Sequence, residues 1–479
     1  MKRVHSFARF GLILLLLSQG VLLQVHSQAP AARPRRNAVW GSSVANGTGD
    51  EFGKEGYTGL LREFFAPRGW EVLNQSRGGD TTKTMAPRFA PEGAPVPNTR
   101  YLLPVNPGYV VIGLSLANEG IWEAKTKEDK EAVFKQYAAG IQGFIQRSRQ
   151  NNIAPVVALV YPRMVYTPVE YEYVRRMNLL QNTWDVPTVN LLGALDDGAG
   201  RYTTGFDFDD KHPNASGHRE LFYTFVPTLF EALEMGRPVP SRIEEGRGYA
   251  RMVSSGFAPL GFSTRDTIHS FALSVDVRTQ ANGTVAGISG STLSATSELK
   301  KAGARGQTEF ESITLLPDRV PFNARIEIQN GIWVYTSAKG IKVSSGISAD
   351  ARWHHIALSH YTARGETLFY VDGKLAGKVA ERLEPRGFVI GGSGVDHEGE
   401  GGPLPADYKE LFLFRSALNA DEVAALNAGK MVQASLEVYS PLTDAVFRLM
   451  TAVNNRAQSL SAFKFTIGRM LHVSDSPKH

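Results

Sequence analysis

Trp40-Gly41-Ser42-Ser43-Val44-Ala45-Asn46-Gly47 follows directly on the apolar run Ala38–Trp40. An apolar, β-prone run that stops at a glycine reads as a strand ending in a sharp turn. The turn leaves Ser43 at the strand's carboxyl end, with the next backbone amides around it. Outward from this point, from Asn37 to about Gly236, short apolar runs alternate with helical patterns. The further strand candidates are Trp70–Asn74, Tyr109–Leu116, Pro155–Tyr161 and Thr188–Leu192. Amphipathic stretches lie between and after them: Tyr57–Phe65, Lys127–Arg149, Pro168–Trp184 and Asn214–Leu233. In the second of these Val133, Tyr137, Ile141, Phe144 and Ile145 recur at helical spacing. Strands joined by crossover helices predict an α/β three-layer, flavodoxin-like parallel-sheet domain. Ligands of such a sheet bind beyond the carboxyl ends of its strands.

Three more motifs fall at those ends. Asn74-Gln75-Ser76-Arg77-Gly78-Gly79-Asp80 follows the second strand, where Gly79 offers an unobstructed N–H. Ser115-Leu116-Ala117-Asn118-Glu119-Gly120 follows the third, where Asn118 can donate its side-chain amide. Asp209-Asp210-Lys211-His212-Pro213-Asn214-Ala215-Ser216-Gly217-His218 precedes the last helix, and Pro213 and Asn214 suit a helix start. A serine hydroxyl attacks at neutral pH only when a neutral imidazole takes its proton. A carboxylate on the other ring nitrogen fixes the tautomer, and Asp209 has the Asp-x-x-His spacing to His212 that Asp207 and Asp210 lack. His218 is expected to be structural. Asp80 and Arg77 either shape the pocket or are solvated. Gly113-Leu114-Ser115-Leu116-Ala117 is a rival nucleophile motif, but Ala117 stands where its second glycine belongs.

In this order the four blocks resemble the SGNH (GDSL-type) hydrolase family over about Asn37–Gly236. The resemblance implies that Ser43 is the nucleophile, His212 the general base and Asp209 its orienting acid. It further implies an oxyanion hole built from the Ser43 N–H, the Gly79 N–H and the Asn118 side chain. Two positions depart from the family pattern: Ser42 replaces its usual aspartate, and Leu116 the usual glycine two residues before Asn118.

Beyond the Pro/Arg/Glu-rich stretch Arg237–Arg247 the periodicity switches to two. Phe271–Val277, Ala324–Ile328, Trp333–Tyr335, His355–His360 and Thr367–Val371 alternate like strands, with turn signals at Asn282-Gly283, Asn330-Gly331 and Asp372-Gly373. An all-β jelly-roll sandwich is expected, interrupted by a short helix over Ala420–Ala428. Trp353–His360, Thr367–Leu375 and Tyr408–Leu418 resemble the laminin G / concanavalin A-like family, some of whose members bind glycans or calcium. No calcium loop is evident. His354, His355 and His360 fall on both faces of one strand, so no metal site and no cofactor is expected. The tail carries a strand-like Leu436–Tyr439 and a helical Asp444–Val453.

The 479 residues carry a formal +5, three of whose cations (Lys2, Arg3, Arg9) lie in the first ten residues, so nucleic acid is a poor partner. Those cations precede the leucine-rich run Gly11–Leu23 and the small residues around Ser27 and Ala29, the pattern of a cleaved secretory signal. With no cysteine there are no disulfides, no Cys-ligated zinc and no lipoprotein anchor. The Asn-x-Ser/Thr sequons at Asn46, Asn74 and Asn214 fall within the expected site, where a glycan would block substrate, which favours a bacterial exported protein. The expected organisation is a signal peptide (1–29), a hydrolase domain (30–236), a linker (237–247), a sandwich (248–435) and a C-terminal extension (436–479). The expected function is a secreted or periplasmic serine esterase removing O-acyl, chiefly acetyl, groups from a polysaccharide or oligosaccharide. Two alternatives are a lipase or thioesterase of the same family, and a carbohydrate-binding protein with a degenerate hydrolase domain.

Overall fold

The computed structural model describes residues 32–242, 248–252, 260–264, 266–301, 309–392, 404–442, 453–462, 464–465 and 471–473. The leader 1–29 and most of the helical tail Asp444–Val453 lie outside these residues, as does 243–247 of the linker. Among the described residues no helix is long and apolar enough to cross a membrane.

Five parallel strands form the first sheet: β1 (Arg36–Gly41), β2 (Glu71–Asn74), β3 (Tyr109–Gly113), β4 (Ala154–Ala158) and β5 (Thr188–Val189), in the order β2-β1-β3-β4-β5. Every residue of β3 and β4 is buried, as expected of a sheet covered on both faces. The order reverses between β1 and β3, so the topological switch point lies past Gly41 and Gly113, which pair across the two strands. A side chain at Gly41 would collide with the Gly113 carbonyl, which explains the glycine ahead of Ser42.

β3, β4 and β5 end earlier than the apolar runs that announced them. Leu114, Leu116, Leu159, Val160 and Leu191 continue those runs and stay buried, but as packing beneath the loops rather than as sheet. The helix Lys127–Gln150 starts at Thr126, whose hydroxyl accepts the Asp129 N–H at 3.0 Å, and it buries Tyr137, Ile141, Phe144 and Ile145. Pro168–Asn182 opens on a capping box between Thr167 and Glu170. The stretch Asn214–Leu233, expected as one helix, is two: Ala215–Tyr223 and Leu229–Glu234. Pro227 has no N–H to donate, and the Thr224 hydroxyl bonds back to the Leu221 carbonyl at 2.7 Å, so the first helix stops before it.

Among the described residues the second half is an antiparallel sandwich of a seven-stranded and an eight-stranded sheet. Phe271, Leu273, Val275 and Val277 alternate onto its inner face, where they meet Ile326, Trp333, Tyr335, Ile356 and Leu358. The opposite face of the eight-stranded sheet, to which Leu436–Ser440 belongs by pairing with Ala406–Phe414, is covered by the helix Ala420–Asn427, whose Val423 and Leu426 cluster with Ala272, Ala357 and Tyr439. Gly283–Lys301 and Glu309–Gln329 form one hairpin, of which sequence periodicity marks only Ala324–Ile328. The α/β layer and the sandwich belong to one compact unit, Arg33–His479. Asn190 joins them: its N–H donates to Ser435 Oγ, and its carbonyl accepts from Ser416 Oγ, each at 2.8 Å.

Candidate active site

Past β1 the chain coils into a tight turn, with Asn46 N–H on the Ser42 carbonyl (2.9 Å) and Thr48 N–H on that of Ser43 (3.0 Å). Ser42 is fully buried and its hydroxyl lies 3.2 Å from the Tyr161 hydroxyl, whereas Ser43 is partly exposed. The position where the resemblance leads one to expect an aspartate is thus filled by a small hydroxyl tied to Tyr161, just past β4.

The backbone after β2 closes over this turn. Arg77 N–H donates to the Gly41 carbonyl at 3.0 Å, and a Cβ added at Gly78 would lie 3.8 Å from Ser43 Cβ. Gly79 sits at φ +80°, and the space beside its α-carbon is open. Asp80 is not a solvated residue. Its buried carboxylate takes hydrogen bonds from Arg77 (2.7 and 3.1 Å), Thr84 (3.0 Å) and the buried Arg88. Arg88 also reaches the carbonyls of Gln75 (3.0 Å) and Arg100 (2.6 Å). Arg100 binds Asn46 Oδ1 and the Ser76 carbonyl, joining the loops after β1 and β2.

Asn118, after β3, is held at both ends of its amide. Its Nδ2 donates to the Asp80 carbonyl at 3.1 Å, and its Oδ1 accepts from Arg163 Nη1 at 3.0 Å. That bond fixes which way the amide faces, and the NH₂ keeps one hydrogen free. Ser115, the rival serine, is buried, and its hydroxyl accepts the Ala117 N–H at 3.2 Å. Leu116 is buried beneath the loop.

Before the helix Ala215–Tyr223, His212 Nδ1 lies 2.9 and 3.0 Å from the two carboxylate oxygens of Asp209. The backbone N–H groups of Lys211 and His212 also donate to Asp209 Oδ1, both at 2.8 Å. Burial pushes the Asp209 carboxyl up, but the hydrogen bonds from the His212 ring and from these N–H groups hold it below the usual carboxylate range. An ionised Asp209 can only accept, so Nδ1 carries a hydrogen, and in the neutral ring the lone pair is then on Nε2. Asp207 differs: burial pushes its carboxyl up, and Glu311 adds to that. Gly49, in the turn that Ser43 begins, sits at φ +97°. A Cβ there would be 3.0 Å from His212 Cβ and would strike the Pro213 carbonyl, so the serine turn and the histidine loop are in contact.

His218 holds that turn from outside. Its Nδ1 accepts the Tyr57 N–H (3.3 Å), and its Nε2 donates to the Thr48 carbonyl (3.0 Å). Burial lowers its pKa to about 4. The unfolded chain therefore takes up a proton below the ordinary pKa of 6.5 while the folded chain resists doing so. The contribution to stability is full above pH 6.5 and declines as pH falls toward 4. Denaturant unfolding at pH 7 and pH 5 should show the native chain losing about 2 kcal/mol more than His218→Asn, which has no titrating ring. Equal losses would contradict a neutral buried His218.

Sequence reasoning singles out the Ser43, Gly79, Asn118 and Asp209–His212 stretches, and the fold gathers them at one end of the sheet. It misses Arg163, Arg100 and Tyr161. Tyr161 and Arg163 stand just past β4, at the same end of the sheet as the other motifs, which was the available signal.

Residues 39–220 match the model of the GDSL-like Lipase/Acylhydrolase family, and this part of the chain is a GDSL/SGNH hydrolase domain of that family. Among solved structures, the chain is similar to a catalytic mutant of an acetylxylan esterase from Geobacillus stearothermophilus, with 14% identity, covering 40% of this chain and 92% of that one, at TM-score 0.30. A SAP-like pentraxin from Limulus polyphemus (11% identity; 48% and 97% covered; TM-score 0.28) is a second match. Domains LG4-5 of the mouse laminin α1 chain (16%; 39% and 48%; 0.25) are a third. No curated protein matches the chain.

Proposed function

We propose that the protein is an exported serine esterase that removes O-acetyl groups from a polysaccharide through an acyl-serine intermediate. The observation that carries this is the Asp209–His212 pair packed against the turn that Ser43 begins. Ser43 Oγ attacks the ester carbonyl carbon while His212 Nε2 takes its proton, and Asp209 stabilises the imidazolium without being protonated. The carbonyl oxygen, now anionic, is met by the N–H groups of Ser43 and Gly79 and by the free Nδ2 hydrogen of Asn118. Donors fixed before the reaction cost no reorganisation, and Arg163 supplies that fixity for Asn118. The C–O bond to the sugar then breaks, and the departing alkoxide takes the proton from His212. Water, deprotonated by His212, attacks the acyl-serine, releases acetate and returns the proton to Ser43.

The polar side chains around the serine turn and its neighbouring loops, Asn46, Arg77, Arg100, Asn118 and Arg163, support a short acyl group on a hydrophilic alcohol rather than a long alkyl chain. The expected outcome is a kcat/KM at least about tenfold higher for a chromogenic acetyl ester than for its octanoyl counterpart. Acetate release from acetylated xylan, pectin or algal polysaccharide would then identify the glycan. A clear octanoyl preference would favour the lipase or thioesterase reading instead.

A further inference from the structure

The hairpin Gly283–Lys301/Glu309–Gln329 does two things along its length. Near its root it is part of the seven-stranded sheet, where Ala286–Thr292 pair with Leu383–Ile390 and Arg325–Gln329 with Ile332–Thr336. Farther out, beyond Leu293, whose N–H still donates to the Arg382 carbonyl of the sandwich at 3.1 Å, Ser294–Lys301 and Glu309–Leu316 pair as strands only with each other among the described residues, so this part is an arm leaving the sandwich. Its contacts are with the α/β layer, at the segment that leads into Asp209. Ile313 N–H donates to the Gly205 carbonyl at 2.8 Å, and a side chain at Gly205 (φ +85°) would strike Ile313. Ile313 and Leu315 pack on the core that contains Phe206. The rings of Phe310 and Phe208, the residue before Asp209, are 5.0 Å apart. Asn214 Nδ2 bonds the Gly205 carbonyl (2.9 Å), the Asp207 carbonyl (3.2 Å) and, on the arm, that of Glu311 (3.4 Å). On the other side, Lys300 Nζ lies 3.6 Å from Glu51 Oε1, while Glu51 Oε2 accepts the N–H of Ala215, the first residue of the helix after His212.

A loop of ten residues carrying a catalytic acid–base pair is held to sub-ångström tolerance only if something packs on its outer side. Here that support comes from the second half of the chain. We propose that the arm is a positioning element of the hydrolase site, with Phe310 and Ile313 setting the place of the Asp209–His212 loop, so that the sandwich completes the active centre. This rests on the serine-esterase proposal above.

The test is made on the full chain, with kcat expressed per reactive serine by active-site titration. Phe310→Ala should lower kcat on a soluble acetyl ester about tenfold with KM within about twofold, and Phe310→Leu should restore most of it. Amide hydrogen exchange across 205–214 should be faster in Phe310→Ala and near normal in Phe310→Leu. The exchange comparison is repeated in the Ser43→Ala background, where it reports the arm whether or not the esterase proposal holds. Unchanged kcat together with unchanged exchange in folded Phe310→Ala would overturn the inference. Should that variant not fold, Lys300→Ala on the arm's exposed end decides: faster exchange over 212–217 supports the proposal, and native exchange there overturns it.

Discussion

Ser43→Ala is expected to lose ester hydrolysis by about six orders of magnitude in kcat while unfolding at the native denaturant midpoint. Both halves follow from where the hydroxyl sits. Ser43 is partly exposed and its backbone, not its side chain, holds the turn through the Thr48 N–H, so losing Oγ leaves the scaffold unaltered. The neighbouring serines are different. Ser42 Oγ is committed to Tyr161, and Ser115 Oγ to the Ala117 N–H, both in the buried interior. Ser115→Ala should therefore keep kcat within a few-fold of native. Kinetics on a chromogenic acetyl ester, with circular dichroism on the same samples, checks all of this. Substantial turnover in Ser43→Ala would remove the nucleophile assignment.

Asp209→Asn should cost about 10⁴-fold in kcat with little change in KM, because the change is one of tautomer rather than of shape. Asp209 Oδ1 accepts the N–H groups of Lys211 and His212 in addition to the imidazole. In the asparagine variant the carbonyl oxygen stays on those backbone donors, and the amide NH₂ is left facing His212 Nδ1. The imidazole must then accept at Nδ1 and carry its hydrogen on Nε2, where it cannot take a proton from serine. Steady-state kinetics over neutral pH measures the loss. A kcat within tenfold of native would mean that Asp209 does not orient the base.

Much of this arrangement is legible in the sequence, and the reason is local. Glycines at strand ends, Asp-x-x-His and Pro213-Asn214 before a helix each announce their geometry within a few residues. The α/β class followed from the alternation of buried runs and amphipathic stretches, and the sandwich from period two. What stayed hidden depends on partners far away in sequence. Arg163 acquires its role only because β4 lies beside β3 and brings it to Asn118, 45 residues away. Asp80 looks like a surface carboxylate until Arg88 folds back over it. The arm was unread because its strand Gly283–Lys301 is rich in Gly, Ser and Thr and faces water on its outer half, so no hydrophobic alternation marks it. The split after Tyr223 was announced by Pro227, but the apolar spacing on either side of it reads as continuous.

Covalent labelling reads out whether Ser43 and His212 act as one unit. A fluorophosphonate reacts with a serine only where a base activates the hydroxyl and an oxyanion hole receives the phosphoryl oxygen. Peptide mass spectrometry of the labelled full-length chain should find one stoichiometric adduct, on Ser43, that fails to form in His212→Ala. An adduct on another serine, or full esterase activity with Ser43 unlabelled, would contradict a site built from Ser43 and His212.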